Sequence, residues 1–208
     1  ALRVKNAGRQ AQRGVEAAAL GVIDVYPAKN LCEALAFSCG GTAPFRSHEE
    51  ARTNESYQFD FSMVLGQETV RRAVEIAAAG HHNVLLYGPP GAGKSMIAKC
   101  VPSILPELGR DESIETTMIH SVGGTLPAGS GLMRVPPFRT PHHTASGVSL
   151  VGGGRVPTVG EISLAHHGVL FMDEFAEFRT DTLQSLRQPL EDQIVTVSRA
   201  AGTVRFPC

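Results

Sequence analysis

Residues 83–95 read NVLLYGPPGAGKS. Asn83 to Tyr87 is a short, continuous apolar run of the kind that forms a strand buried on both faces. Gly88 to Gly93 is a glycine- and proline-rich turn, and from Lys94 to about Val101 the pattern is helical. Strand, glycine loop and helix in that order make the βα unit of a parallel sheet covered by helices. The loop itself, Gly88-Pro89-Pro90-Gly91-Ala92-Gly93-Lys94-Ser95, fits GxxxxGK[ST] at every defined position. Gly91 and Gly93 let the backbone turn its N–H groups inward as a nest for phosphate oxygens. The helix start at Lys94 and Ser95, with Met96 next, aims its positive end at the same anion. The Lys94 ammonium is placed for the β and γ phosphates, and the Ser95 hydroxyl for Mg2+.

A second apolar run, Val169-Leu170-Phe171-Met172, ends in Asp173-Glu174. A carboxylate at the carboxyl end of a strand downstream of a phosphate loop is a magnesium ligand, the role expected of Asp173. The acid after it, Glu174, is then positioned to polarise an attacking water as general base. These residues predict ATP and Mg2+ as cofactors, and the second acid favours hydrolysis over simple nucleotide binding.

The 208 residues are 42% hydrophobic and 19% charged, which suits a globular chain with a true core. A formal net charge of -1 excludes a global electrostatic case for nucleic acid or membrane binding. No stretch reaches the length of a membrane span, and no signal peptide is visible, so a cytoplasmic location is expected. Cys32, Cys39, Cys100 and Cys208 form no CxxC and no zinc spacing, and are expected as free thiols. The pairs His81-His82, His142-His143 and His166-His167 are poor chelating units, because neighbours on a regular helix or strand project in different directions.

Before the phosphate loop, Val22–Tyr26 reads as a short strand. Asn30 and Glu33 have capping-box spacing for a helix with Leu31, Ala34, Leu35 and Phe37 on its buried side, ending near Gly40-Gly41. Residues 41–56 are polar and aperiodic, an expected linker. Gln67 to Ala79 places Val70, Ala73, Val74 and Ala77 on one helical face and Arg71 and Arg72 on the other. Beyond Glu174 a helix runs through Leu183, Leu186 and Leu190, interrupted at Pro189. Ile194–Ser198 and Thr203–Phe206 then form an expected hairpin around Gly202.

Several stretches resemble the AAA+ ATPases, and within them the ComM-type branch of the magnesium-chelatase-like group. They are FDFSMVLGQETVRRAVEIAAAGHHNVLLYGPPGAGKS, PFRTPHHTAS, VGGG, and GEISLAHHGVLFMDEFAEF followed by LRQPLEDQIVTVSRAAGTVRFP. The resemblance implies an α/β P-loop NTPase (AAA+) core over residues 57–208, with a parallel sheet flanked by helices. It implies that residues 1–40 are the tail of a Lon-protease-like domain, and that 41–56 link the two. It places Val64, Leu65, Gly66 and Gln67 beside the adenine, and residues 192–206 in a hairpin facing the pore of a ring. It also implies that the chain is a fragment, ending before the sensor asparagine, the arginine finger and the lid. Such a piece would hydrolyse little alone, and the full-length protein would assemble as a homo-hexamer.

From Thr117 to Gly160 there is no acidic residue, while Arg134, Arg139 and Arg155 supply positive charge. An acid-free basic loop can follow a phosphate backbone without reading bases. Arg139, His142, His143 and Arg199 are therefore candidate DNA or pore residues, and bracing of the insert or of a subunit interface is the alternative for each. The resemblance carries two client classes. One is single-stranded or branched DNA, driven by a helicase or branch-migration motor in natural transformation or recombination. The other is a partner protein, remodelled in the magnesium-chelatase manner. A nucleotide-binding module without turnover is a third reading.

Overall fold

The computed structural model describes residues 30–39, 57–127, 130–153, 158–199 and 202–208. The chain divides into two compact units, residues 1–54 with 124–133, and residues 55–123 with 134–208. In the first, α1 spans Leu31–Ser38, and the Glu33 amide donates to Asn30 Oδ1 at 2.9 Å, the cap expected of that spacing. Leu31 and Leu35 are more than half exposed, against the expected buried stripe. Periodicity marks an apolar face but does not supply a surface to cover it. The expected strand at 22–26 and the linker at 41–56 lie outside the described residues.

Among the described residues, the second unit holds three two-stranded sheets and both hydrophobic clusters. Its first cluster forms where α2 (Glu68–Gly80) and α3 (Lys94–Cys100) meet the turn Phe61–Met63. Phe61, Val64, Val74, Ile97 and Cys100 are its buried members. Ser103 ties the pieces together, accepting from the Phe61 amide at 2.9 Å and donating to the Cys100 carbonyl at 2.8 Å. Pro102 does not break the chain away from α3. It sits in the one-turn 3-10 helix Val101–Ile104 that continues it. On α2 the two faces differ from expectation: Ala73 is exposed, and Arg71 is half-buried, its guanidinium 5.7 Å from the Phe61 ring. An arginine stem and a cation–π contact can occupy a place that a hydrophobic count assigns to alanine.

Residues 110–123 form α4, a helix that hydrophobic periodicity did not disclose. Its buried face includes Ser113, Thr116, Thr117 and His120, so the apolar repeat is diluted. Its start is legible afterwards: the Gly109 amide donates to Glu112 Oε2 at 2.8 Å, the return half of a capping box. α5 (Gly147–Val151) leads into β2 (Gly152–Gly153), which pairs antiparallel with β3 (Thr158–Val159), and β3 and α6 (Glu161–Leu164) pack against α4.

β1 (Phe138–Arg139) and β4 (Val169–Leu170) pair in parallel, Phe138 opposite Val169 and Arg139 opposite Leu170. The ladder is closed by Val169 N–H to Pro137 O and Phe171 N–H to Arg139 O, both 2.8 Å. A parallel pair needs a crossover, and α5 and α6 lie within it. Within the acid-free stretch, Phe138–Arg139 is thus a sheet strand rather than a loop. The second cluster packs Leu150, Ile162, Phe178, Leu186, Val195 and Phe206 beside this sheet, each contributing about 1.5–3 kcal/mol when fully buried.

The run 83–87 is not a buried strand here. Leu85 is 75% and Tyr87 91% exposed, and among the described residues this segment has no ladder partner. A two-faced apolar strand stays dry only with neighbours on both edges and helices on both faces. Leu86 alone turns inward, against the first cluster.

After β4, the helix expected through Leu190 is two short helices, α7 (Thr180–Gln184) and α8 (Arg187–Asp192). The break falls four residues before Pro189, at Ser185, because the proline ring would strike that carbonyl and offers it no N–H. Pro189 itself sits in the first turn of α8, where a missing donor costs nothing. β5 (Ile194–Arg199) and β6 (Gly202–Pro207) are the expected hairpin, with Gly202 the first residue of β6 rather than the turn.

Candidate functional site

Gly93 precedes α3 in the left-handed region (φ 79°), and Gly91 has the same φ. A side chain would strain either position, which explains the spacing of glycines in the loop. Lys94 folds back across the loop and donates to the carbonyls of Gly88 and Pro89 at 2.9 and 2.8 Å. The Gln67 side chain, freed by the left-handed backbone that starts α2 (φ 51°), donates to the Ala92 carbonyl at 3.0 Å. Of the four residues expected beside the adenine, Val64 is buried in the first cluster and Gln67 is tied to the loop. Leu65 and Gly66 are exposed next to them.

The two ends of the constellation meet at Ser95 and Asp173. The Ser95 hydroxyl donates to Asp173 Oδ2 at 3.0 Å across 78 residues of sequence. Asp173 Oδ1 accepts the amide of Glu174 at 3.0 Å. Two oxygens at neighbouring corners of an octahedron with arms of about 2.0–2.1 Å stand roughly 2.9 Å apart, so this pair fits magnesium. Glu174 has φ 53°, a left-handed conformation uncommon for any residue but glycine. Its side chain is largely exposed, and Oε2 lies 3.1 Å from His143 Nδ1.

The remaining candidates divide. Arg139 makes a two-pronged ion pair with Glu161, Nε to Oε2 at 2.7 Å and Nη2 to Oε1 at 2.9 Å, with both side chains mostly buried. The hydrogen bonds that Arg139 donates to Glu161 raise the guanidinium pKa above its already high ordinary value. His142 Nδ1 lies 2.8 Å from Thr144 Oγ1, and its ring is 4.1 Å from that of His143. The geometry favours bracing for Arg139 and places His143 against the candidate base. The side chain of Arg199, and Arg155 entire, lie outside the described residues. Neither Glu161 as partner to Arg139 nor His143 as partner to Glu174 was legible beforehand. Both contacts join positions 22 or more apart, and no local pattern signals them.

The family model for magnesium chelatase, subunit ChlI, matches residues 60–208, most of the chain. The chain belongs to the magnesium chelatase, subunit ChlI, family. Its fold is the AAA+ type that this family carries. Among curated relatives, the Competence protein ComM of Haemophilus influenzae is 48% identical over 71% of this chain and 29% of its own length. The uncharacterised protein YifB of Escherichia coli is 43% identical over 86% of this chain and 35% of its own. An uncharacterised protein of Mycobacterium tuberculosis is 42% identical over 92% of this chain and 38% of its own. The chain thus spans about a third of the length of these relatives. No described helix is long and apolar enough to cross a membrane.

Proposed function

We propose that this chlI-family chain carries the ATP site of a ring motor, with MgATP bound between the loop Gly88–Ser95 and the strand end at Asp173-Glu174. The observation that carries the reading is the 3.0 Å approach of Ser95 Oγ to Asp173 Oδ2. Main-chain N–H groups of Pro-free positions in the loop would hold the phosphates, and Lys94 would exchange its two loop carbonyls for β and γ oxygens. Met96 and the Val64–Gln67 segment would flank the nucleotide. Ser95 and Asp173 would hold Mg2+, which supplies charge neutralisation on the phosphates. Glu174 would orient and deprotonate the attacking water, after leaving His143.

For the client we infer DNA, single-stranded or branched, moved by a homo-hexamer of the full-length protein in the cytoplasm, as a helicase or branch-migration factor. The support is the 48% identity to a protein named for competence. Arg139 is committed to Glu161, so any DNA track must use other residues. Remodelling of a partner protein is supported by the family's chelatase description.

The experiment has two levels. On the 208-residue chain, Lys94→Ala should abolish binding of a fluorescent ATP analogue. In the full-length protein, Glu174→Gln should keep binding and lose turnover by about 10²–10⁴-fold. Stimulation of turnover by forked DNA supports the DNA motor. Turnover indifferent to DNA but raised by a partner protein replaces it. A Glu174→Gln protein turning over at the wild-type rate rejects Glu174 as the base.

A further inference from the structure

We propose that Glu115, His166 and His167 form a binding site for one divalent transition metal, zinc by its ligand chemistry, separate from the nucleotide site. On a regular helix or strand, adjacent histidines would diverge. Here α6 ends in a turn, and His167 adopts φ 56°. That left-handed residue brings the two imidazoles to one side, ring centres 3.8 Å apart. Both point at the same oxygen: Glu115 Oε2 lies 3.2 Å from His166 Nε2 and 3.1 Å from His167 Nε2. One ligand atom from each residue falls within 4.8 Å of the other two.

The distances match what a metal requires. In a tetrahedral zinc site with arms of about 2.0–2.2 Å, ligand atoms stand roughly 3.3 Å apart. Two of the three edges are already near that value, and the third, within 4.8 Å, closes toward it to complete one face of the tetrahedron. Two imidazoles and one carboxylate are a zinc set, and imidazole nitrogen disfavours magnesium or calcium. Burial supports a fixed site. His166 is 8% exposed and held in the core, while the Glu115 side chain is half exposed and leaves the fourth corner open to water.

The place in the fold assigns the role. Glu115 is on α4, and the histidines close the turn that leads into β4. Asp173 lies six residues beyond His167, a span of up to about 20 Å at about 3.3 Å per residue. The ion would therefore clasp α4 to the root of the strand that carries Asp173, and act on stability rather than on phosphate chemistry.

The test uses the untagged 208-residue chain, stripped with EDTA and titrated with Co2+, then Zn2+. The expected result is one Co2+ per chain with the intense visible bands of a four-coordinate site, lost on addition of Zn2+. Zn2+ should also raise the melting temperature, reversibly with EDTA. Glu115→Gln and His167→Gln, both at partly exposed side chains, should each weaken Zn2+ binding by about 100-fold or more. A His81→Gln/His82→Gln double variant should leave it unchanged. Absence of stoichiometric binding, a six-coordinate spectrum, or unchanged affinity in the Glu115 and His167 variants would overturn the proposal, leaving a hydrogen-bonded carboxylate between two imidazoles.

Discussion

At Arg139 a charge in an acid-free stretch finds its partner in the first acid beyond that stretch, Glu161. The pair is mostly shielded from water, so removing one member strands the other. Arg139→Met should lower the stability of the chain by about 1–3 kcal/mol, read from the urea midpoint. It should leave the salt dependence of DNA binding by the full-length protein unaltered, since a guanidinium held by a carboxylate releases no counterions from phosphate. A shallower salt slope in this variant would return Arg139 to the DNA surface. His143 poses the complementary case. Its 3.1 Å contact holds the Glu174 carboxylate, and in the proposed mechanism the glutamate leaves that contact to act on a water above the Ser95–Asp173 pair.

Among the elements, the register of β1 against β4 is set where Gly168 passes Pro137. A Cβ on Gly168 would collide with the Pro137 carbonyl oxygen and ring. That same carbonyl accepts the Val169 amide. Gly168→Ala should therefore cost about 1–3 kcal/mol or more, and should weaken nucleotide binding as well, because β4 carries Asp173 into the site. Thermal melting and the ATP-analogue affinity check the two effects together. The contact between α4 and α6 makes a pH prediction. Burial pushes the His120 pKa below the ordinary histidine value. The unfolded chain then takes up a proton first as pH falls, so this contribution to stability is complete above about pH 6.5 and is lost on acidification below it. In EDTA, His120→Gln should flatten the stability–pH curve just below about pH 6.5. An unchanged slope would mean that His120 titrates alike in both states.

For the molecule as a whole, the exposed run 83–87 leads along the chain into the loop that ends at Ser95, and the paired strand β4 leads to Asp173. Two short hydrophobic clusters, one under the phosphate loop and one under β4, each hold one side of the site. The constellation is thus assembled by two separate packing events, and the approach of Ser95 to Asp173 depends on both. In the full-length protein this predicts that mutations in either cluster lower ATP affinity together with stability. Leu150→Ala, at a fully buried position, should cost about 2–5 kcal/mol and weaken binding of the ATP analogue at temperatures near its melting point.

The sequence by itself determined what is contiguous: the phosphate loop, the acid pair after an apolar run, the Asn30 cap and the hairpin of residues 194–207. In each, the residues that carry the chemistry lie within a few positions, and glycine, proline and capping side chains act on their own backbone. It did not determine which apolar runs find cover: the pattern places Leu85 and Leu35 inside, and both are exposed. It was silent on α4, whose inward face is largely polar. Tertiary structure alone decided that Arg139 meets Glu161, that Glu174 meets His143, and that His166 and His167 converge on Glu115. Those contacts span 22 to 52 residues, and the last two involve residues in left-handed backbone conformations. Such a conformation is set by the packing around it rather than by the preference of a glutamate or a histidine, which is why no local pattern announced it.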